Sequence, residues 1–483
     1  RMRRRTVAVL IAAALLAGPV HSGGPAHAVE IVAGERLAPV PCPEAAPEGE
    51  RAGCALRSVP ERRDRARSGT LDVFVMVLAP REGAAAAEPP LLMIPGGPGS
   101  TYTIGGTIPW GLTAGLRRDR AVVLIDPRGA GRSRPSFDCA FDDRPRSCLA
   151  LFDEWEIDPA ALTAVEMAGD ARDLRRALGV PTWHVYGRSF GTRVAQHLVR
   201  LDPDGVRTAI LDAPLDAGAN LFSRDRRAAE ERSLGALLDA CARDVACAAA
   251  HPDAARRLAE LDARLADPAA VAASEPLRQI RVALRGFRTL GALLRQSLYP
   301  LDGEARQPAV LDAFARHADG TTPLPTERLA TMVEAIRWRS PPIASAVNAA
   351  AVCFEDWAPR VLRPDAEAER MRRERRGYGA VCGELIARSD IGFRPPPLGP
   401  APNLPLLVLT GVFDYATPTE WADRVEPANP KRRVLRFPDL GHGVYNHSAC
   451  GRAATDAFVR TDGAMVDDGC VRAITGPRFA PAP

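Results

Sequence analysis

The sequence has 483 residues, 46% of them hydrophobic and 25% charged, a composition typical of a globular protein with a sizeable core in one large domain with an insertion, or in two domains. The formal net charge is +4, but four arginines and no acidic residue lie in the first 28 positions, and the remainder has 59 basic and 59 acidic residues. The charge therefore excludes a strongly basic protein and gives no argument for nucleic acid or an anionic membrane as a partner.

The first 28 residues have the pattern of an export signal. Four arginines precede an apolar stretch at 7–17, and the triplet AHA at 26–28 has the small-residue form preferred at a signal-peptidase cleavage site. The apolar stretch is too short to span a bilayer comfortably, so a membrane anchor is the weaker alternative. We predict a signal peptide over residues 1–28, a secreted or periplasmic protein, and no stable membrane insertion.

Short β-rich segments alternate with helical ones in the next part of the chain. Residues 70–80 alternate like an early, half-exposed strand. Residues with helical spacing, such as Met167, Ala171 and Leu174, separate some of the later segments. This alternation is typical of βαβ units, so we predict the α/β fold class, with a mostly parallel sheet flanked by helices. The later strands are predicted at residues 91–94, 121–126, 183–187, 208–213, 406–411 and 433–439.

The segment WHVYGRSFGTRVAQH, residues 183–197, places Ser189 between two glycines in the pattern G-x-S-x-G. A predicted strand runs directly into the serine, and an amphipathic helix leaves it. A nucleophilic serine needs that context, because the glycines allow the sharp turn to close and the turn holds the hydroxyl exposed at the helix N-terminus. The alternative role for Ser189 is a helix N-cap.

A serine hydroxyl is a poor nucleophile near neutral pH and needs a base within hydrogen-bond reach, usually a histidine. Of the six histidines beyond the predicted signal, His442 lies between glycines just after the last predicted strand, at the edge of a parallel sheet where ligands bind. His447, five residues later, is the alternative base. For His184 and His197, which flank the turn at Ser189, packing is the default role. His251 and His317 fall in the segment after residue 216, which is predicted below to be an insertion.

The base in turn needs a carboxylate that holds its tautomer and stabilises the imidazolium. Asp414 follows the penultimate predicted strand and precedes His442, so it is the preferred acid. Asp212, at the end of the strand that follows Ser189, is the alternative. Asp126 is a further acid at the end of a predicted strand, and a structural role is favoured for it.

Acyl transfer also needs hydrogen-bond donors for the developing oxyanion. The backbone N–H of Phe190, next to the serine, is one predicted donor. Gly97 in the loop PGGPGS (95–100) is the other, since glycines after a strand leave N–H groups open to a substrate oxygen. A phosphate-binding role is disfavoured because the loop lacks a following G-K-[ST] or Rossmann spacing. This chemistry requires no metal or organic cofactor, and none is predicted.

Between about residues 216 and 395 the sequence changes to long segments rich in alanine, arginine, leucine and glutamate, without clear strand rhythm, which predicts a helical insertion. The proline-rich passage 394–405 then leads back to strand-like sequence. The predicted domains are a core with its first part at 29–215, the insertion at 216–395, and a C-terminal part of the core at 396–483.

All ten cysteines lie beyond the predicted signal, an even number in a compartment where disulfides persist. A metal site is the weaker alternative, because no C-x2-C or H-E-x-x-H unit occurs. The cysteines form five groups of near neighbours, and we predict a disulfide within each group, although spacing alone does not establish connectivity. The groups are Cys42 with Cys54, Cys139 with Cys148, Cys241 with Cys247, Cys353 with Cys382, and Cys450 with Cys470.

Five motifs taken together resemble those of the secreted α/β-hydrolases of the proline iminopeptidase and tripeptidyl aminopeptidase family. They are PGGPGS at 95–100, DPRGAGRS at 126–133, YGRSFGT at 186–192, VFDYATP at 412–418 and LGHG at 440–443. Further stretches are similar to the tripeptidyl aminopeptidase branch, so that the resemblance covers most of the exported chain. These stretches are CALRSVPERR at 54–63, AAVCFED at 350–356 and the segment from Cys450 to Cys470.

The resemblance implies an α/β-hydrolase core with a helical cap, here the insertion, over the active site. It implies a serine peptidase that releases residues or short peptides from free peptide N-termini through an acyl-enzyme. By motif, the nucleophile is Ser189, the acid Asp414 and the base His442, and the oxyanion donors are Gly97 and Phe190.

In related aminopeptidases, cap carboxylates hold the substrate ammonium, and Glu355 or Asp356 is the candidate for that contact here. The chain departs from the family next to the nucleophile, where Gly or Val and then Tyr are common but Arg188 and Phe190 stand. Pro95 occupies the position of a histidine that often opens the oxyanion loop. We expect a cation beside the nucleophile to alter the preference for charged substrates.

The sequence leaves two alternatives to an aminopeptidase. An esterase or lipase uses the same serine, histidine and aspartate, with a small ester in place of a peptide as substrate. A hydrolase fold without activity serves as a binding protein, which is the less favoured alternative because all three side chains are present. The oligomeric state is not indicated by the sequence.

Overall fold

The computed structural model describes most of the chain from residue 37 onward. The predicted signal peptide at 1–28 lies outside the described residues. Within the described residues, no helix combines the length and the apolar composition that crossing a bilayer requires. The described residues are 37–81, 88–104, 108–139, 145–216, 220–222, 224–339, 343–361, 366, 368–369, 372, 376–389 and 401–481.

The strands form one large sheet and one small sheet. Their bounds are β1 (Leu37–Pro39), β2 (Ala52–Pro60), β3 (Thr70–Leu78), β4 (Leu91–Ile94), β5 (Val122–Ile125), β6 (Trp183–Arg188), β7 (Val206–Asp212), β8 (Glu304–Ala305), β9 (Leu406–Gly411), β10 (Arg432–Phe437) and β11 (Arg478–Phe479). The order in the nine-stranded sheet is β1-β2-β3-β5-β4-β6-β7-β9-β10, and β8 pairs with β11.

The large sheet is mostly parallel, as the sequence predicted. Pairing is antiparallel from β1 through β2 and β3 to β5. From β5 onward, the neighbours β4, β6, β7, β9 and β10 all pair in parallel. Because parallel strands end at the same edge of a sheet, the loops after β4, β6, β9 and β10 meet at one edge, where ligands bind in such folds.

All seven predicted strands correspond to observed ones, with ends that differ by at most two residues. The sequence prediction missed β1 and β2 in the large sheet, and β8 and β11 in the small one. The strand β2 contains Gly53 and ends at Pro60, residues that are rare in strands. Its residues 53–56 are all buried, which removes the alternation of apolar and polar positions by which a strand is recognised.

Helices cover both faces of the sheet and form the insertion. A π-helical turn at Cys353–Trp357 joins helix α12 (Ser345–Val352) to helix α13 (Ala358–Val361). The helices are α1 (Pro145–Glu154), α2 (Ala164–Ala177), α3 (Phe190–Leu201), α4 (Arg224–Arg243), α5 (Val245–Ala250), α6 (Ala254–Ala266), α7 (Pro268–Ala273), α8 (Glu275–Ala283), α9 (Leu290–Gln296), α10 (Gln307–Ala318), α11 (Thr326–Ile336), α12 (Ser345–Val352), α13 (Ala358–Val361), α14 (Arg376–Arg388), α15 (Trp421–Arg424), α16 (Val444–His447), α17 (Ala449–Arg460) and α18 (Gly469–Arg472).

The insertion, α4 to α14, lies between β7 and β9 in the chain. Its first part packs around a leucine-rich cluster of its own, which Phe413 from the loop after β9 joins. Its last part belongs to the same apolar cluster as the sheet, through residues such as Val347, Trp357 and Leu385. The insertion also contains the short strand β8, which pairs in parallel with β11, so the segment near residue 479 returns to it.

Five disulfides pair all ten cysteines, and each joins the two neighbours that the sequence predicted. Three of them tie helices together within the described region. Cys241–Cys247 links α4 to α5, Cys353–Cys382 links the π-helical turn to α14, and Cys450–Cys470 links α17 to α18. Each bridge restricts the unfolded chain and so favours the folded one.

A buried ion-pair network fastens the segment after β5 to α2. Arg128 is fully buried, and its Nε donates to Asp170 Oδ2 at 2.7 Å. Its Nη1 donates to the backbone oxygen of Ala161 at 3.0 Å. Asp170 also accepts a hydrogen bond from Arg63 Nη2 at 2.8 Å. Because these charges are buried and paired, removal of one leaves its partner undercompensated.

We expect Arg128→Met to lower the free energy of unfolding by about 3 kcal/mol, because Asp170 then keeps only one of its two guanidinium partners in the core. The matched control is Arg207→Met, which removes an ion pair with Asp462 whose side chains are both 45% exposed. That change should cost less than about 1 kcal/mol. Urea denaturation followed by circular dichroism measures both losses, and equal losses would contradict a structural role for the Arg128 network.

Candidate active site

Ser189 forms the sharp turn between β6 and α3. Its backbone has φ 53° and ψ −123°, a combination that costs a non-glycine residue conformational energy. Hydrogen bonds on both sides hold this conformation. The Ser189 N–H donates to the backbone oxygen of Asp212 at 2.8 Å, and the Ser189 carbonyl accepts from the Thr192 hydroxyl at 2.6 Å. The side chain is half-buried and lines a cavity.

The two glycines of the G-x-S-x-G pattern are required by close packing. A Cβ on Gly187 would lie 2.4 Å from the backbone oxygen of Gly191. A Cβ on Gly191 would lie 2.5 Å from the backbone oxygens of Ile94 and Pro95. Any side chain at either position would therefore push the turn away from α3 or from the end of β4.

Asp414 and His442 lie on the loops that follow β9 and β10, and both side chains are buried. His442 Nδ1 lies 2.8 Å from Asp414 Oδ2. Because an ionised carboxylate only accepts hydrogen bonds, the proton of a neutral imidazole is on Nδ1, and Nε2 is left as the acceptor. Asp414 is held in turn by the N–H groups of Ala416 and Thr417, both at 2.9 Å, and by the Thr417 hydroxyl at 2.7 Å.

The loop that carries His442 is anchored from both the sheet and the insertion. From the sheet, Asp212 accepts hydrogen bonds from the N–H groups of Val444 at 2.8 Å and Tyr445 at 2.9 Å. From the insertion, the backbone oxygen of Tyr299 accepts the His442 N–H at 2.8 Å. The Tyr299 ring also stacks on the imidazole, with centroids 4.4 Å apart. The position of the predicted base therefore depends on both parts of the chain.

The side chains of Ser189 and His442 are not hydrogen-bonded to each other. His442 Nε2 is buried and has no hydrogen-bond partner among the residues that the structure describes. The two positions are linked through Arg188, whose Nη2 donates to the backbone oxygen of His442 at 3.4 Å. A bond between a nucleophile and its base is often long without substrate and tightens when substrate binds. The structure thus forms the histidine–aspartate half of the predicted triad and brings the serine to the same sheet edge.

Both predicted oxyanion donors line the cavity with the serine. Phe190 is the first residue of α3, so its N–H is one of the amide groups that have no acceptor within the helix. Gly97 lies in the loop after β4 with φ 109°, a value that favours glycine. Its neighbour Gly96 passes so close to the turn that a Cβ there would lie 2.9 Å from Ser189 Cβ.

The cavity has a volume of about 620 Å³, which is within the range of small-molecule sites. The turn at Ser189, the loop 95–100 and the segment after His442 all contribute to its lining. The insertion contributes side chains such as Tyr299 and Trp338. The charged side chains of the lining are Arg188 and Arg226. Among the described lining residues there is no Asp or Glu.

Glu355 and Asp356, the predicted partners of a substrate ammonium, lie in the π-helical turn and do not line this cavity. Glu355 Oε2 accepts from Arg193 Nη1 at 2.9 Å, and its Oε1 accepts the N–H of Ala164 at 2.5 Å. Asp356 Oδ1 accepts from Arg193 Nη2 at 3.2 Å. The structure therefore differs from that expectation, because both carboxylates neutralise a buried arginine of α3.

The alternative residues from the sequence have other roles in the structure. Asp212, the alternative acid, accepts the Tyr186 hydroxyl at 2.7 Å and anchors the loop after His442. His447, the alternative base, lines the cavity, and burial together with the charge of Arg188 lowers its pKa. Asp126 accepts the N–H of Arg132 at 3.0 Å, and burial raises the pKa of this carboxyl to about 6.

Sequence reasoning missed two residues that hold the base. Thr417 lies three positions after Asp414, and a local signal was present, because a threonine at that spacing often closes a side-chain turn with an aspartate. Tyr299 had no such signal. It lies far from His442 in the sequence, and only the fold brings its carbonyl and ring against the imidazole.

Comparison with protein families gives two matches. Residues 89–267 match the family described as alpha/beta hydrolase fold. Residues 390–470 match the family described as TAP-like protein. The first match contains Ser189 and the loop 95–100, and the second contains Asp414 and His442.

Comparison with individual proteins gives partial similarity to proline iminopeptidases. That of Heyndrickxia coagulans is 30% identical over 139 residues, which are 29% of this chain and 39% of that protein. That of Lactobacillus delbrueckii subsp. bulgaricus is 28% identical over 144 residues, which are 30% of this chain and 41% of that protein. The matches thus span about two fifths of the length of these curated relatives. The solved proline iminopeptidase of Mycobacterium smegmatis aligns with 84% of this chain and 98% of that one, at 17% identity and a TM-score of 0.37.

We expect His442→Gln to lower kcat by roughly 10⁴-fold, because glutamine cannot take a proton from the serine. We expect His447→Gln to have a much smaller effect, since His442, not His447, is hydrogen-bonded to Asp414. Hydrolysis of a chromogenic substrate by each purified variant measures the two effects. A larger loss in His447→Gln than in His442→Gln would show that the base has been misassigned.

Proposed function

We propose that the protein is a serine hydrolase that works through an acyl-enzyme. The α/β-hydrolase fold and the sequence similarity to proline iminopeptidases and TAP-like proteins support this proposal. Ser189 is the nucleophile, His442 is the general base and then the general acid, and Asp414 orients the imidazole. The backbone N–H groups of Gly97 and Phe190 stabilise the oxyanion.

The reaction begins when the Ser189 oxygen attacks the substrate carbonyl carbon and His442 Nε2 takes the hydroxyl proton. The tetrahedral intermediate places its negative oxygen between the two backbone donors. When the intermediate collapses, the bond to the leaving group breaks and the imidazolium gives its proton to that group. A water molecule then attacks the acyl-enzyme by the same route, which releases the acid product and restores the serine.

The hydrogen bond between His442 and Asp414, at the same sheet edge as the strained Ser189, carries this proposal. A buried imidazole whose Nδ1 is hydrogen-bonded to a carboxylate, and whose Nε2 has no partner among the described residues, can accept a proton at Nε2. A serine with φ above zero is a cost to the fold, and such strain is concentrated at functional sites. A binding protein would need neither feature.

We propose short peptides with a free N-terminus as substrates, and an aminopeptidase as the type of enzyme. The similarity to proline iminopeptidases and TAP-like proteins supports this finer assignment. The cavity supports it as well, because a volume of about 620 Å³ suits a small acyl group better than the middle of a long chain.

An esterase is the second candidate, and one observation favours it. The described cavity lining has no Asp or Glu, so a substrate ammonium in the cavity would lack the carboxylate that a buried cation needs. Glu355 and Asp356 are already paired with Arg193. An ester with a neutral acyl group requires no such partner.

We propose that the mature protein is secreted or periplasmic. The export-signal pattern at residues 1–28 supports this compartment. The five disulfides support it too, because such bonds form and persist in oxidising surroundings and are rare in the cytosol.

We expect the enzyme to hydrolyse tripeptidyl arylamides with a free N-terminus at a higher kcat/KM than the same peptides with an acetylated N-terminus or short-chain alkyl esters. The reason is that an aminopeptidase uses the free end of the peptide to position the scissile bond. Initial rates over a range of substrate concentrations measure kcat/KM for each class. Rapid cleavage of the esters and acetylated peptides, without cleavage of the free peptides, would select the esterase instead.

The control for this panel is Ser189→Ala, which should lower kcat by roughly 10⁴-fold or more for every substrate. It should also abolish covalent labelling by a fluorophosphonate. Ser345→Ala, at the start of α12 and outside the cavity lining, should keep the labelling. Labelling that survives in Ser189→Ala would place the nucleophile elsewhere.

A further inference from the structure

On the basis of the function proposed above, we infer that Arg188 makes this site selective for substrates with a carboxylate next to the scissile carbonyl. Arg188 directly precedes Ser189 and lines the same cavity. The proposed function places the scissile bond at Ser189. The charge of the cavity then determines which chemical group is favoured beside that bond.

The cavity is positively charged. The described lining contains Arg188 and Arg226 and neither Asp nor Glu. Next to the lining segments in the sequence, residues 105–107, 217–219, 223 and 340–342 fall outside the described part of the chain and contain no acid, while the side chain of Asp225, beside Arg226, also falls outside it. Among the described lining residues, a negatively charged substrate therefore meets attraction without a competing repulsion.

The two arginines differ in their surroundings. Arg226, on α4, donates from Nη1 to the backbone oxygen of Leu221 at 3.1 Å, and its Nη2 lies 3.6 Å from Glu230 Oε1. Arg188 forms no ion pair with any described residue. Among those residues its guanidinium forms one hydrogen bond, from Nη2 to the backbone oxygen of His442 at 3.4 Å. Its Nε is buried and has no acceptor in the described part of the chain. Arg188 is therefore the cation that a ligand can still compensate.

Asp212 contributes a negative charge near Arg188 but does not use up its hydrogen-bond donors. The Asp212 carboxylate accepts three other hydrogen bonds, from the Tyr186 hydroxyl and from the N–H groups of Val444 and Tyr445. It therefore serves the loop after the base. A guanidinium held near such a charge remains stable in the protein and can still bind a second carboxylate.

Arg193, a nearby buried arginine, differs from Arg188 because carboxylates accept hydrogen bonds from its guanidinium. It lies five residues after Arg188, on α3, and its Nη1 and Nη2 donate to Glu355 at 2.9 Å and to Asp356 at 3.2 Å. Two carboxylates thus neutralise Arg193, whereas Arg188, beside the nucleophile, has no carboxylate in contact among the described residues. Because a buried donor without an acceptor is costly, and Arg188 Nε has none among the described residues, the difference points to a ligand that supplies one.

The side chains that line the cavity with Arg188 add neutral hydrogen-bonding groups. Tyr102, Asn446 and His447 are among them. Burial, and then the positive charge of Arg188, lowers the pKa of His447 below its ordinary value, so this imidazole is uncharged at neutral pH. A carboxylate bound to Arg188 would find further donors here and no Asp or Glu among the described lining residues.

A short peptide has two places where a carboxylate lies close to the scissile carbonyl. One is an acidic side chain on the residue whose carbonyl is attacked. The other is the free C-terminal carboxylate of a single leaving residue. Both present the same planar group, which a guanidinium binds through parallel N–H bonds. The experiment separates the two sources.

The test compares two matched substrate pairs with the full-length mature enzyme. In the first pair, a tripeptidyl arylamide ends in Glu or in Gln before the arylamide. In the second pair, a tripeptide of neutral residues is followed by one leaving residue with a free or an amidated C-terminus. We expect kcat/KM to favour the charged member of one pair by roughly tenfold to a hundredfold, the effect of a hydrogen-bonded charge on binding. The pair that shows the preference identifies the source of the carboxylate.

Variants assign that preference to Arg188. In Arg188→Met the ratio between charged and neutral members should fall to about one, while Arg188→Lys should keep part of it, because the charge stays and the planar fork is lost. The control is Arg452→Met, since Arg452 holds the same loop by donating to the backbone oxygen of Tyr445 at 2.9 Å but does not line the cavity. It should leave the ratio unchanged. Fluorophosphonate titration gives the active concentration of every variant, so partial misfolding does not alter the ratios.

Two results would overturn the inference. One is a wild-type enzyme that is labelled by the fluorophosphonate but cleaves both members of each pair equally well. The other is an Arg188→Met variant that loses the same factor on charged and neutral substrates, which would show that Arg188 only supports the loop of His442. A wild-type enzyme that is not labelled and cleaves nothing would instead refute the proposed function, so the two failures are distinct.

Discussion

The hydrogen bond between His442 Nδ1 and Asp414 Oδ2 is the interaction on which the candidate site depends. Parallel pairing of β9 with β10 brings the two loops to one sheet edge, and Thr417 holds the carboxylate in place. The base is further fixed by Tyr299 from the insertion. The insertion therefore does more than cover the cavity, because it sets the orientation of the imidazole. A change in the packing of the insertion would reach the candidate site through Tyr299 and through Leu301, whose backbone oxygen accepts the Gly441 N–H at 2.9 Å.

The sequence predicted the features that have local signals. Apolar runs bounded by turn residues predicted the six strands of the parallel part of the sheet and the neighbouring strand β3. The flanking glycines predicted the turn at Ser189, and close packing against the end of β4 explains why no larger residue fits. The disulfides were predictable because each joins neighbours in the sequence, the longest separation being 29 residues. In each case the cause lies within one short segment of chain.

Other features depend on contacts that no short segment contains. Tyr299 reaches His442 only because the insertion folds back on the sheet edge. Glu355 and Asp356 have the chemistry of an ammonium site, but the fold places Arg193 against both of them. The strand β2 is buried in its central part and includes Gly53, so neither alternation nor composition revealed it. Pairing between distant residues decided all three, and sequence patterns carry little information about such pairing.

The same long-range pairing gives the cavity its charge, since it neutralises Arg193 and leaves Arg188 beside the nucleophile without a carboxylate in contact among the described residues.

A crystal structure of the protein after reaction with a fluorophosphonate tests most directly whether Ser189, His442 and Asp414 act together. We expect phosphorus bonded to Ser189 Oγ, the phosphonyl oxygen about 3 Å from the N–H groups of Gly97 and Phe190, and His442 Nε2 hydrogen-bonded to the adduct while Nδ1 keeps its contact with Asp414. An adduct on another residue, or an imidazole that stays stacked on Tyr299 with Nε2 out of reach of the adduct, would contradict the triad.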